Sequence, residues 1–444
     1  MKYFYSVLYS AASVAAFPSY WAQQLDKAQP GILESEHIKR AVENLQQNRA
    51  VDETNCGPVP CSVFNAEEQL VSITGEHAFV APVKGKDLRG PCPGLNAAAN
   101  HGYIPHNGVL NSQETITGLA NAYGMGPDLA LGLAAVAVLF DGDITTLEWS
   151  IGGPQDVGPL QAGVFGKPRG LSNSHNNYEG DASIGRPDAY LNNGNPTPLD
   201  LNRYRKAYEV GMANDRYTID QFRGLFVDNI KTSIATNPYY FSSQFAGLIV
   251  APAAYNFVIN FMSNHSAAEP SGYLNGAIFK EFFSVTGDYP NFVWTPGHEQ
   301  IPANWYRRPS SNPYSLTAAL LDVATGWVRD PDAFRLGGNV NGVNTYTGVD
   351  IKDLSGGLYN AGDLAKGNNL GCFVFQLQSM YLDTNLGLSG LLPGGILGVQ
   401  QLIASSITPL LSKLSCPQLA NHVFDFSVFD KFPGAKYQGQ ASKN

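Results

Sequence analysis

The sequence predicts a mainly α fold with few short strands, and three observations predict it. Apolar residues recur at helical spacing over long segments. Alternating, strand-like patterns are scarce and short. Clusters of glycine, asparagine and proline punctuate the helical stretches. In chain order, Glu34 to Gln47 reads as a charged helix. The apolar-periodic segments then run Thr115 to Phe140, Asn202 to Val210, Ile219 to Thr236, Phe245 to Phe261, Ala277 to Val285 and Ser315 to Val328. Within the first, the apolar run Leu129 to Phe140 reads as a buried helix. Gly152-Gly153-Pro154 and Asn192-Asn193-Gly194-Asn195-Pro196 are turns. From Glu76 onward there is no Gly/Ser linker and no internal repeat, so 76–444 reads as one domain with a substantial core.

The net charge is −9, and no basic cluster could track a phosphate backbone, which argues against a nucleic-acid partner. Frequent aromatics suit a chain that buries a flat cofactor, and suit a large ordinary core equally well. Residues 1–22 read as a secretory signal. Lys2 supplies the positive start, Phe4 to Phe17 is apolar and small, and Ala15-Ala16-Phe17 or Tyr20-Trp21-Ala22 lies at the cleavage site. A short uncleaved apolar anchor is the competing reading. The run is too short for a membrane span, as is Leu129 to Phe140. Residues 23–75 form an extension. Its dibasic Lys39-Arg40 pair suits removal of a pro-segment by secretory proteases, and an exposed charged helix is the plainer alternative. Asn264-His265-Ser266 is a glycosylation acceptor pattern. The expected destination is therefore secretion.

The chain has five cysteines, Cys56, Cys61, Cys92, Cys372 and Cys416, an odd count that leaves one thiol over in an oxidising compartment. Cys56 and Cys61 could close a small loop. Five reduced cysteines in a cytosolic protein is the competing reading, against which the signal argues. Cys92 stands between Pro91 and Pro93. Pro91 keeps its predecessor out of helix, and Pro93 suits a first helical turn. Cys92 therefore sits at a helix N-terminus, where the amides of Gly94 to Asn96 can point at its sulfur and the helix dipole favours thiolate. Such a thiolate is a nucleophile or a metal ligand. A small helix cap with a buried, inert cysteine accounts for the same spacing.

The segment reads Arg89-Gly90-Pro91-Cys92-Pro93-Gly94-Leu95-Asn96, then Ala99-Asn100-His101-Gly102-Tyr103-Ile104-Pro105. With Glu76-His77-Ala78-Phe79 upstream and Asn107-Gly108 downstream, it resembles the signature of the heme-thiolate peroxygenases, the family of chloroperoxidase and the unspecific peroxygenases. The resemblance implies a chloroperoxidase-like, multi-helix heme fold, with Cys92 as axial ligand of a heme b iron. It also implies a C-terminal disulfide, Cys372 with Cys416. Pairing Cys56 with Cys61 then leaves Cys92 single.

A second constellation is Tyr178-Glu179-Gly180-Asp181-Ala182-Ser183, followed by Arg186. A carboxylate, a permissive glycine and a hydroxyl can turn oxygens to one point, which suits a hard cation. Glu, Asp and Ser around a helix start are also ordinary caps. The stretch is similar to the family's second signature. By that likeness the Glu179 carboxylate, the Gly180 carbonyl and the Ser183 hydroxyl hold Mg2+ shared with a heme propionate, and Tyr178 stands beside the heme channel. The implied chemistry is hydrogen-peroxide-dependent oxidation of a small apolar organic substrate, because a thiolate ligand favours O–O cleavage.

One departure from the family matters. Its long members carry an arginine and, seven residues later, a glutamate on the distal helix; seven residues is about two turns, so the pair shares a face. Counting on from Asn237, those positions read Ala246 and Ala253, and no Asp or Glu lies between Asp228 and Glu269. Three explanations compete. A register slip would bring His265 or Glu281, both expected at the surface, into the distal site. A substrate acid could serve, with Asn256 orienting peroxide. Or peroxide cleavage is weak, and the heme supports a rearrangement, dehydration, hydroperoxide conversion or ligand binding beneath an apolar roof of Ile249, Val250 and Ala253. Ordinary core-helix packing explains the same residues. A serine hydrolase lacks its Gly-x-Ser-x-Gly elbow, and a zinc enzyme lacks ligand spacing.

Overall fold

The computed structural model describes residues 64–159, 161–162, 166–330, 332–349, 372 and 426–437. The expected signal, the extension up to 63, Lys39-Arg40, Cys56, Cys61 and Cys416 lie outside the described residues. Helices dominate, in agreement with the mainly α expectation. They are α1 (Ala66–Gln69), α2 (Pro93–Asn100), α3 (Ser112–Tyr123), α4 (Pro127–Asp141), α5 (Leu201–Met212), α6 (Ile219–Thr236), α7 (Ala251–Met262), α8 (Gly276–Phe282) and α9 (Leu316–Arg329).

Local chemistry sets most of these boundaries. Asn111 and Glu114 form a capping box at the start of α3, and Thr218 and Gln221 form one at α6. The single stretch expected from Thr115 to Phe140 is two helices. Gly124 adopts φ +69°, and a Cβ there would lie 2.9 Å from the Arg308 carbonyl oxygen, so the chain must turn at a glycine. Pro127 then opens α4. Ala277 to Val285 also divides, into α8 and a strand.

The strands are β1 (Val109–Asn111), β2 (Glu148–Ser150), β3 (Phe241–Ser242), β4 (Val285–Thr286), β5 (Val293–Trp294), β6 (Gly337–Asn339) and β7 (Tyr346–Gly348). β1 pairs antiparallel with β2 (Leu110 opposite Trp149), β4 with β5, and β6 joins β3 to β7. α3 packs on α4, α6 on α7, and α9 on both α4 and α7. The buried apolar side chains form one cluster from Val71 to Phe432.

The phase of the helix after β3 differs from expectation. Residues Ala246–Val250 form a π-helical turn before α7, with the Ala251 amide donating to the Ala246 carbonyl. Pro252, with no amide hydrogen, sits in the first turn of α7. A wide turn absorbs about one extra residue, which rotates Ala246 and Ala253 apart by about 100° relative to continuous α geometry.

His265 is fully buried rather than at the surface. Its Nδ1 donates to the Pro270 carbonyl at 2.8 Å, and its Nε2 has no partner. Burial, only partly offset by that bond and reinforced by the Arg308 charge, lowers its pKa to about 4. The unfolded chain then binds the proton more tightly than the folded one. The stability tied to neutral His265 is present above about pH 6.5 and lost as pH falls through about 4. His265→Gln should flatten the fall of Tm between pH 6.5 and 4, measured by differential scanning calorimetry; an unchanged slope rejects the assignment.

Candidate active site

Cys92 caps α2 with extended backbone, φ −88° and ψ 110°, and is partly buried. Asn96 clamps the turn before it: the Gly90 amide donates to Asn96 Oδ1 (3.0 Å), and Asn96 Nδ2 donates to the Gly90 carbonyl (2.9 Å). Gly90 must be glycine, since a Cβ would fall 1.9 Å from the Ile151 carbonyl oxygen. Tyr123 Oη donates to the Gly94 carbonyl at 2.6 Å. Cys92 is a free thiol, whereas Cys372 is disulfide-bonded.

The expectation that the helix end alone favours thiolate needs correction. Burial pushes the Cys92 thiol above its ordinary pKa. The Leu95 amide, the Arg186 charge and the Gly94 amide pull it down without prevailing, and Glu299 pushes it up. Asn96 does not help the sulfur, because its amide donates to the Cys92 carbonyl at 3.1 Å. A cation at the sulfur would reverse the balance, since a coordinated thiol is deprotonated.

Around Cys92 stand buried charged groups with unused bonding capacity. Arg186 Nη1 donates to the Thr197 carbonyl (2.6 Å), but its Nε has no partner. Neither carboxylate oxygen of fully buried Glu299 has a well-formed hydrogen bond, although its own amide and the Asn96 side chain lie near enough to draw its pKa down. Burial raises the Glu299 pKa, and Arg186 opposes the rise. Glu179 accepts from His175 Nδ1 at 2.8 Å through Oε2, while its buried Oε1 has no partner. Burial would lower the His175 pKa, but Asp181 and Glu179 outweigh it and raise it to about 9. Ser183 Oγ donates to the Gly180 carbonyl at 2.7 Å.

The turn bearing these oxygens is strained and over-determined. Ala182 adopts φ +61°, a costly conformation for a residue with a Cβ. Its amide donates to Asp188 Oδ1 (3.0 Å), and its carbonyl accepts from Tyr255 Oη (2.7 Å). Asp188 in turn pairs with Arg203 at 2.6 Å and accepts from Ser233 and Asn237.

The expected distal residues divide between two surroundings. Ala246 is buried against Gly180, where a Cβ on the glycine would meet the Ala246 Cβ at 3.3 Å. Ile249, Val250 and Ala253, with Phe245, line a narrow apolar recess of about 20 Å3, partly open to solvent. Its other walls are Leu129, Gly132 and Leu133 of α4, Phe257 of α7, and α9. Tyr178 packs edge-on against Phe245, centroids 5.6 Å apart. Asn256 is buried off the recess, with its Oδ1 unpartnered. Glu281 is exposed and His265 lies against Gly272, so neither lines the recess. The π-helical phase puts Ala246 and Ala253 in these different surroundings, although the spacing predicted one face.

The sequence family model described as "Peroxidase, family 2" matches residues 77–310. The chain belongs to the heme-thiolate peroxygenase family. It is 38% identical over 373 residues to the dothistromin biosynthesis peroxidase dotB of Dothistroma septosporum, covering 84% of this chain and 87% of that protein. It is 38% identical over 386 residues to the aromatic peroxidase fscJ of Fusarium equiseti, again 84% and 87%. It is 28% identical over 355 residues to the aromatic peroxygenase of Cyclocybe aegerita, 78% and 83%. As a peroxygenase-family chain it is a peroxide-dependent oxidoreductase, and the family implies heme. Among the described residues no helix is long and apolar enough to cross a membrane.

The residues present fit such a group. A free cysteine at a helix N-cap, an under-bonded arginine and two under-bonded carboxylates share one buried neighbourhood. Of the expected hard-cation donors, the Ser183 hydroxyl and the Gly180 carbonyl bond each other, and only Glu179 Oε1 is left without a partner. No cluster of three His, Cys, Asp or Glu poised for a metal occurs among the described residues.

Sequence reasoning missed His175, Glu299 and the α4 wall. His175 was detectable only as a histidine four residues before Glu179, and Glu299 carried no motif. In heme-free protein, Arg186→Gln should slow alkylation of Cys92 by iodoacetamide at neutral pH, and Glu299→Gln should speed it. Equal rates in both variants would remove the two charges from the sulfur's surroundings.

Proposed function

We propose that the chain is a heme-thiolate, hydrogen-peroxide-dependent peroxygenase or peroxidase that acts on a small apolar organic substrate in the secretory pathway. The observation that carries this reading is the free Cys92 at the α2 N-cap, within reach of the Arg186 and Glu299 charges, with Glu179 in turn acting on Arg186. Heme b bound there would supply the oxidising centre that peroxide charges. Cys92 would hold its iron as thiolate. Glu179, the Gly180 carbonyl and the Ser183 hydroxyl would hold Mg2+, and Arg186 would neutralise an anionic edge of the cofactor. The relatives named for dothistromin biosynthesis and for aromatic oxidation support an aromatic secondary-metabolite substrate.

The recess selects by shape, because its walls offer no polar handle. Each Å2 of apolar substrate surface buried against these walls contributes about 25 cal/mol. Gly132 leaves room for it: this buried helix-interior glycine has no positive φ, and a Cβ added there would meet nothing within 4 Å. A second reading rests on Ala253, which leaves the distal wall without an acid. On that reading peroxide activity is weak, and the site rearranges, dehydrates or merely binds a ligand.

Five variants test these readings. Cys92→Ser should abolish the thiolate-type absorption of the carbonyl complex; a retained band overturns the ligand assignment. Gly132→Ala should raise stability by about 0.5–1 kcal/mol in urea unfolding. Gly132→Phe should cut kcat/KM for aromatic substrates about tenfold or more by filling the recess. Ala253→Glu should speed peroxide consumption, since a carboxyl buried among apolar walls titrates near neutrality and can carry protons. Ala246→Arg, which forces a guanidinium against Gly180, should lower Tm instead. Peroxide turnover in the parent protein matching that of Ala253→Glu would show that the distal alanine is no handicap.

A further inference from the structure

Three tyrosines, distant in sequence, meet at the surface beside the second signature. Tyr190 and Tyr239 stack with centroids 4.4 Å apart and planes at 26°. Tyr437 stands edge-on to Tyr190 at 5.6 Å and lies 5.4 Å from Tyr239. On its inner side, Tyr437 meets the ring of buried His175 at 6.0 Å. His175 in turn hydrogen-bonds Glu179 at 2.8 Å. The series begins at Tyr190, which is 39% exposed, and ends at a side chain assigned to the cofactor edge.

The placement of Tyr437 is built, not incidental. Asn176, adjacent to His175, donates through Nδ2 to the carbonyls of both Gly434 and Tyr437, each at 2.9 Å. Gly434 admits no side chain, since a Cβ would fall 2.0 Å from the Tyr239 carbonyl oxygen. The segment from 433 to 437 is thereby pressed against both Tyr239 and the loop that carries Glu179.

We propose that Tyr190, Tyr239 and Tyr437 form a second oxidation site, for phenols too bulky to enter the apolar recess. This inference rests on the heme reading above. An electron leaves the tyrosine cluster inward past His175, and the tyrosine loses its phenolic proton to solvent. A bulky phenol docked at Tyr190 then gives up its O–H hydrogen: that bond breaks, the tyrosine O–H re-forms, and a phenoxyl radical departs. Two phenols thus reduce one hydrogen peroxide to two waters, so the oxidant is the one the established activity uses. Phenol, neutral and redox-active, suits a site whose exposed face is itself phenolic.

The test uses full-length holoenzyme, hydrogen peroxide and a phenol coupled to a soluble dextran, with veratryl alcohol as the small substrate. Tyr190→Phe and Tyr437→Phe keep the rings and remove the phenolic hydrogens. Both should reduce oxidation of the dextran-phenol about tenfold and leave veratryl alcohol turnover and Tm unchanged. Without any reducing substrate, peroxide should leave dityrosine fluorescence and oxidised Tyr190 or Tyr239 peptides in the mass spectrum, and both marks should fade in Tyr437→Phe. Unaltered dextran-phenol oxidation in both variants, or unmarked tyrosines, overturns the second site. Protein that purifies colourless overturns the heme reading and this inference together. Heme-loaded protein that turns over veratryl alcohol but ignores dextran-phenol overturns this inference alone.

Discussion

The buried pair of Asp188 and Arg203 is the interaction on which the site depends. Arg203 Nη2 lies 2.6 Å from Asp188 Oδ1, both groups withdrawn from water. Such a pair adds little net stability by itself, but loss of one partner would strand a buried charge. Its value lies in what it positions. Asp188 gathers the Ala182 amide, the Ser233 hydroxyl and the Asn237 amide, and so fixes a turn whose Ala182 would otherwise relax from its left-handed conformation. Burial favours the neutral acid at Asp188, yet Arg203 and these donors hold its pKa below the ordinary range. Asp181 beside it is pushed up to about 8, by burial first and by the Asp188 charge next. The turn thus keeps Asp188 ionised while the neighbouring acid gives way.

Cys92 shows two electrostatic effects in opposition. The amides at a helix N-terminus favour thiolate, and that argument is sound for a sulfur in water. Withdrawn from solvent, the same sulfur loses more hydration than two amides and a nearby guanidinium return. Burial therefore holds the sulfur as thiol, and a cation meeting it, as the proposed heme iron would, reverses that balance. The under-bonded oxygens of Glu179 and Glu299 and the Arg186 Nε agree with that view, because buried polar groups are rarely left unpaired without a ligand to satisfy them.

What was legible followed from local rules. The α2 start was readable from two prolines and a cysteine, and α6 was expected over the residues it occupies. The split after Tyr123 was missed because apolar periodicity runs through Gly124, Met125 and Gly126 unbroken. Only the close approach of Arg308, far along the chain, makes the turn obligatory. The π-helical turn was invisible for a related reason: a period of 3.6 tolerates one inserted residue without an obvious break in hydrophobicity. Glu299 joins the site from the other end of the fold, and no spacing rule links it to Cys92. Local patterns thus carried the elements, and long-range packing decided their phase.

The phase of α7 also bears on the departure from the family. With the wide turn in place, Ala246 serves as packing against Gly180, and the side chain there is limited by a 3.3 Å approach between Cβ positions. An arginine could not be restored without moving the turn that carries Glu179 and Gly180. Ala253 is different, because it borders open apolar space shared with Gly132 across the recess. Two small residues on opposite walls enlarge the volume available to a substrate. The small side chain at 253 and the absent one at 132 then act together on the same space. The recess thus offers apolar walls and no proton carrier, and whatever occupies it must match those walls.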